Sequence, residues 1–131
     1  MTTTLLQPSV ENIPEIVGVS IRTLRDSNIF TVSTSTYTID CSISDYIRLN
    51  FMSDTTITFT NAVKEGQQIT VALYQADGVI HNVVFDSTIR LGTDIFSVPT
   101  LSQTVGLLDR IVFIYDSVAN TYDLVGYSRG F

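Results

Sequence analysis

His81 is the single histidine in a chain of 131 residues, and Cys41 is the single cysteine. A histidine works as a general base when a carboxylate orients it and a nucleophile touches its other nitrogen. His81 stands in I-H-N-V-V-F beside a turn, with no Ser or Cys of recognisable nucleophile context nearby, and reads as a surface strand histidine. It cannot hold zinc alone, because zinc takes three or four N, S or O ligands. A lone cysteine excludes an internal disulfide framework and any multi-cysteine metal site. Within the strand pattern of residues 37–43, Cys41 reads as a small buried core residue. The carboxylates Asp40, Asp45, Asp54, Asp77, Asp86, Asp94, Asp109, Asp116 and Asp123 mostly sit at strand ends. Aspartate there bonds turn amides. A glycosidase needs two carboxylates facing across a cleft, and a calcium loop needs a clustered D-x-D-x-[DN]-G run. Neither spacing occurs, nor does a phosphate loop or dinucleotide fingerprint. The expectation is a protein that is not an enzyme, with no catalytic residue, cofactor or metal.

Bulk properties narrow the partners. Hydrophobic residues make up 44% and charged residues 15%, with Ser and Thr filling the polar positions, the composition of sheets with hydroxylated outer faces. The net charge is −6 and the seven basic residues are scattered singly. Phosphate-backbone binding needs a basic stripe, so nucleic acid is excluded as a partner. No apolar stretch approaches the roughly 20 residues of a membrane span, and the opening M-T-T-T-L-L-Q-P is not a secretory signal pattern. The expected site of synthesis is a reducing cytoplasm.

The elements that would position these residues are strands. Residues 55–75 alternate Thr56/Thr58/Thr60 with Ile57/Phe59, then Ile69/Val71/Leu73 with Thr70/Ala72/Tyr74, around a polar connection at 61–66. This reads as a hairpin with a longer loop. Further strands are expected over 28–32, 36–42, 46–51, 79–85, 88–91, 107–116 and 122–126, and Ala76-Asp77-Gly78 as a tight turn with a positive φ at glycine. Short strands at this turn spacing indicate an all-β fold, an antiparallel, jelly-roll-like β-sandwich over residues 28–131. The stretch 111–115 is apolar on both sides, which places it centrally with one face against a second body. Ile111, Phe113 and Tyr115 are therefore the candidate oligomer interface. Tyr37, Tyr46, Tyr74, Tyr115, Tyr122 and Tyr127 pack the core or, where exposed, offer a sugar or protein contact surface.

Residues 1–27 differ in kind. Gln7-Pro8 and Ile13-Pro14 break the segment early, and Ile16, Val17, Val19, Ile21 and Leu24 form an isolated apolar set. Gly18 and the β-branched residues favour an extended arm over a short helix. Such an arm packs on a neighbouring subunit or partner, or covers an open edge of its own sheet; these five residues are the candidate attachment arm.

From residue 37 to the end, an ordered set of motifs is similar to the C-terminal β-sandwich domains of tailed-bacteriophage fibre, baseplate and head-decoration proteins. The matching residues are T-F-T-N at 58–61, G-Q-Q-I-T-V-A-L at 66–73, N-V-V-F at 82–85, P-T-L-S-Q-T-V-G-L-L-D-R-I-V-F-I-Y-D at 99–116, and L-V-G-Y-S-R-G-F at 124–131. Many such domains carry tryptophans; this chain has none. The resemblance implies a trimeric virion structural protein, located in the particle and contacting capsid or tail proteins. Only a short segment precedes the domain here, which favours a capsid cement or decoration protein, or a short tail or fibre component, attached by its N-terminal arm. The alternative is a receptor- or glycan-binding tail-fibre tip that contacts a host-surface glycan or protein. A polysaccharide hydrolase would require the carboxylate pair that is missing from the spacing.

Overall fold

The computed structural model describes residues 28–131, all of whose regular elements are strands. The expected arm residues Ile16, Val17, Val19, Ile21 and Leu24 lie outside the described residues. In chain order the strands are β1 (Ile29–Val32), β2 (Thr36–Asp40), β3 (Tyr46–Phe51), β4 (Thr55–Thr60), β5 (Gln68–Gln75), β6 (Val83–Phe85), β7 (Ile89–Leu91), β8 (Leu108–Asp116) and β9 (Thr121–Ser128). They form a six-stranded sheet in the order β1-β3-β5-β8-β9-β7 and a three-stranded sheet in the order β2-β4-β6.

Each strand is two-faced because successive side chains alternate. In β3 the inner set is Ile47, Leu49 and Phe51, in β4 Ile57 and Phe59, and in β5 Ile69, Val71 and Leu73, all buried. These sets belong to one core that both sheets share, with Phe59 of the smaller sheet 4.7 Å from Phe113 of the larger, centroid to centroid.

The all-β expectation holds, but the expected antiparallel ladder is corrected. Strands β1, β3 and β5 pair in parallel, and so do β2, β4 and β6. Only β5–β8 and β8–β9 are antiparallel, and β7 joins β9 in parallel. The first six strands alternate between the sheets, so each crossover that a parallel pair requires is itself a strand of the opposite sheet. The supposed hairpin at 55–75 is accordingly two strands of different sheets. Its connection carries Asn61 at φ 62° and Gly66 at φ 81°, and crosses from one layer to the other instead of folding back. The Ala76-Asp77-Gly78 turn is as expected, with Gly78 at φ 81°.

β8 is central, between β5 and β9. Of the three expected interface residues, Ile111 and Phe113 are each 0% exposed within the chain's own core. Tyr115 packs on Tyr122 at 4.9 Å and donates to Asn120. Ile111 and Phe113 are thus covered within the chain, while Tyr115 is half-buried. The other face of β8 carries Arg110, Val112 and Ile114, half-buried on the outer surface of the larger sheet.

Truncating Ile111 to Ala should cost about 2–5 kcal/mol, and Phe113 to Ala about 3–5 kcal/mol, because each leaves a cavity in a packed core. Urea denaturation should give the same loss at every protein concentration. A loss that grows on dilution would return these residues to an interface.

Candidate functional site

The residues that sequence reasoning singled out for chemistry are placed mainly at turns. The Asp40 carboxylate accepts from Ser42 N–H (3.0 Å) and Oγ (2.6 Å), and Asp77 from Val79 N–H (3.2 Å). Asp86 accepts from Thr88 N–H (2.9 Å), and Asp116 from Val118 (2.9 Å) and Ala119 (3.0 Å) N–H. Asp54 bridges further, accepting from Asn82 N–H at 2.9 Å. At Asp40, Asp77, Asp86 and Asp116 such bonds favour the ionised form. Asp40 is held below its ordinary pKa by the Ser42 hydroxyl and amide, Asp77 by His81, and Asp116 by Ala119 N–H and the Arg90 guanidinium. Burial alone would raise Asp86, but bonds from Thr58 and Thr88 outweigh it and the net direction is down.

His81 is not a lone histidine in space. Its Nε2 lies 2.9 Å from both oxygens of Asp77 and its Nδ1 lies 3.5 Å from Asp54 Oδ1, with the side chain 13% exposed. A general base needs one nitrogen open toward the proton it takes. Both nitrogens here face carboxylates, so the arrangement ties the turn before β4 to the turn after β5. Gln75 completes the tie: its Oε1 accepts from His81 N–H (3.1 Å) and its Nε2 donates to His81 O (3.2 Å). An open pocket of about 320 Å³ lies beside this cluster, between β6 and the segment carrying Val98, Pro99 and Leu101. Among the described residues no group of three or more His, Cys, Asp or Glu is placed to hold a metal ion.

Three buried polar residues, Gln67, Gln75 and Asp109, have roles that sequence reasoning did not assign. Gln67 sits where β4 crosses to β5. Its Oε1 accepts from Val63 N–H (2.7 Å), and its Nε2 donates to Cys41 O (2.8 Å) and to Asp45 (3.0 Å). It therefore joins two of the connections that lead from the smaller to the larger sheet, 41–45 and 61–67. Gln75 performs the tie just described. Asp109, 2% exposed inside β8, accepts from Ser102 N–H and Oγ (2.6 Å each) and from Gly130 N–H (2.9 Å). Gly130 is at φ 84°, a conformation that favours glycine, and it brings Phe131 back to pair in both directions with Leu108 (2.9 and 3.0 Å). The separated pieces P-T-L-S, L-L-D and R-G-F thus converge on one carboxylate. The only signal in the sequence was an acidic residue inside an apolar strand. Cys41 is buried as expected.

The outer face of the larger sheet collects aromatic and guanidinium groups. Arg48 lies 4.7 Å over the Tyr74 ring, while Arg110 lies 5.9 Å from Tyr46 and 5.0 Å from Phe131, and donates to Tyr46 Oη at 3.1 Å. These are cation–π distances. Arg90, at the far edge, pairs with Asp123 (2.6 Å) and Asp116 (2.9 Å). Tyr122 is different: it is buried, its hydroxyl accepts from Ala62 N–H at 3.1 Å, and burial raises its pKa. Comparisons with protein-family models, with curated proteins and with solved structures each gave no match.

Two outcomes follow from this geometry. Groups with lowered pKa stabilise the fold above the unfolded carboxylate value, and that contribution is lost as pH falls through their folded values. The melting temperature should therefore hold from neutral pH down to the unfolded aspartate pKa of about 3.9 and fall below it; a thermal scan against pH checks this. Asp109→Ala should cost about 1–3 kcal/mol by removing the acceptor of three bonds. Limited proteolysis should then cut first within residues 99–107 and at the C-terminus.

Proposed function

We propose that this chain is a non-enzymatic structural subunit of a bacteriophage particle, a capsid cement or decoration protein or a short tail or fibre component. The domain is a β-sandwich in this reading, which two sheets around one shared core support. The observation that carries the proposal is what the motif residues do. Two of the five pieces that resemble phage virion domains, 99–116 and 124–131, converge in the latch of Ser102, Asp109, Gly130 and Phe131. Their role is to close a domain, and the carboxylates around them are engaged in holding turns. In this reading the segment before β1, an end strand of the larger sheet among the described residues, carries the attachment. The mechanism is adhesion by apolar burial multiplied through symmetry and avidity. Self-association as a homotrimer falls to the outer face of the larger sheet, where Val112 and Ile114 are half-buried.

A receptor- or glycan-binding tip is the second reading, favoured by the Tyr46, Arg110, Phe131 and Arg48, Tyr74 groupings on that face. Tyr and Arg are the residue types that concentrate binding energy at interfaces.

The test is incorporation. Particles made with a chain lacking residues 1–14 should lack this subunit by gel and by cryo-EM density, while the truncated chain stays folded by circular dichroism. Normal incorporation of the truncated chain would remove the attachment role. Absence of the full chain from purified particles would remove the virion reading. Arg48→Ala with Arg110→Ala, leaving incorporation intact but reducing adsorption to host cells about tenfold or more, would favour the tip reading.

A further inference from the structure

β6 is an end strand of the smaller sheet, with β4 on one side and no strand on the other among the described residues. Thr55 N–H donates to Asn82 O and Asp86 N–H to Ile57 O, so the even-numbered residues of this stretch turn their backbone groups to β4. In a parallel ladder the N–H and C=O of Val83 and Phe85 then point away from β4, and no bond from the described residues reaches them. Val84 stands outward and is exposed, whereas Val83 and Phe85 lie against the core and are only half-buried. The core is therefore incompletely covered along this edge.

Across the open pocket of about 320 Å³ from that edge stands the segment carrying Val98, Pro99 and Leu101. Its position does not depend on β6. Asp109 takes Ser102 N–H and Oγ at 2.6 Å each, and Arg129 Nη1 donates to Thr100 O at 2.6 Å. These bonds hold an apolar wall facing the open backbone of β6. An unpaired strand edge is a template for one more strand, and the wall opposite leaves room for a single extended chain, not for the edge of another folded sheet. Charge narrows the occupant further. At the His81 end lie the carboxylates of Asp77 and of Asp54, whose side chain is 75% exposed, and no Lys or Arg pairs with either among the described residues.

We propose that the slot between β6 and residues 98–101 binds an extended peptide segment of a partner protein, apolar at alternate positions and carrying a lysine or arginine at one end. Its backbone pairs with Val83 and Phe85, its inward side chains fall among Val83, Phe85, Val98 and Leu101, and its basic residue reaches Asp54. In this mode main-chain bonds supply affinity, and pockets for alternate side chains supply selectivity. Ligand pockets begin at roughly 300 Å³, so the buried part of the peptide is short. The inference concerns this domain alone and stands whether or not the virion reading does.

The test pans a library of random short peptides on the full chain. Retained peptides are then measured by calorimetry and by NMR hydrogen exchange, beside Val83→Pro, Val98→Asp and Asp54→Asn. They should alternate apolar and polar residues, carry a lysine or arginine, and slow exchange of the Val83 and Phe85 amides. Val83→Pro removes a free donor without touching the β4 ladder, and should weaken binding about fivefold or more, the share of one hydrogen bond. Asp54→Asn should weaken only the peptides that carry the basic residue; no effect on them overturns the charge assignment. Circular dichroism checks that each variant is folded. Should Val83→Pro not fold, Val98→Asp, which charges the apolar wall, decides in its place by a similar loss. Failure to retain any alternating peptide overturns the proposal. So does binding that leaves the Val83 and Phe85 amides unmoved, or that is indifferent to both Val83→Pro and Val98→Asp. Protection of these two amides in the free chain at every concentration assigns the edge to the chain itself, and protection that falls on dilution assigns it to a second copy; either overturns the partner peptide.

Discussion

Contact between the inner faces of the two sheets is the interaction on which the rest of this structure depends. Phe59 and Phe85 of the smaller sheet meet Phe113 of the larger at 4.7 and 5.4 Å, and Tyr122 stacks on Phe59 at 4.9 Å. Aromatic rings at these separations add to the burial of their own large apolar areas. Because that core is shared, neither sheet is stable alone: a strand turned by one residue would move its whole inner set to solvent. The alternation of β1 to β6 between the sheets follows, since each crossover delivers another apolar face to the same interior.

A core built this way leaves its polar connections crossing between layers, where backbone groups need partners. Gln67, Gln75 and Asp109 supply them. Gln67 binds two neighbouring crossings to one another, and Gln75 brackets both backbone groups of His81. Asp109 fastens residue 102 and the C-terminal turn to the central strand. A buried carboxylate without partners would be costly, and three donors offset that cost. The same economy of bonding explains why His81, which looked solitary, sits between Asp54 and Asp77: it joins two turns that the strand order brings side by side.

The outer face of the larger sheet carries Arg48 and Arg110 over aromatic rings in a chain of net charge −6. Stacked guanidinium groups lose little further freedom on binding. The outer edge of β6 offers backbone instead of side chains, so the two regions suit different modes of contact.

How much was legible in the sequence follows from the periodicity. Period-two alternation identified most strand positions, although only Val83–Phe85 of the expected 79–85 is a strand, and showed which residues face inward, from Ile47, Leu49 and Phe51 to Ile69, Val71 and Leu73. Aspartate beside small residues marked the turns at Asp40, Asp77, Asp86 and Asp116, and the turn glycine at Gly78 was equally plain. What alternation does not carry is the identity of the neighbour. A connection of five to seven residues can fold a strand back beside its predecessor or carry it across to the opposite layer, and only the filling of a common core decides. Tertiary structure therefore chose parallel pairing over the expected hairpin and turned Ile111 and Phe113 into the chain's own interior. It also gathered Ser102, Asp109 and Gly130 into one latch, because contacts across 7 and 21 residues of sequence depend on packing that no local pattern records.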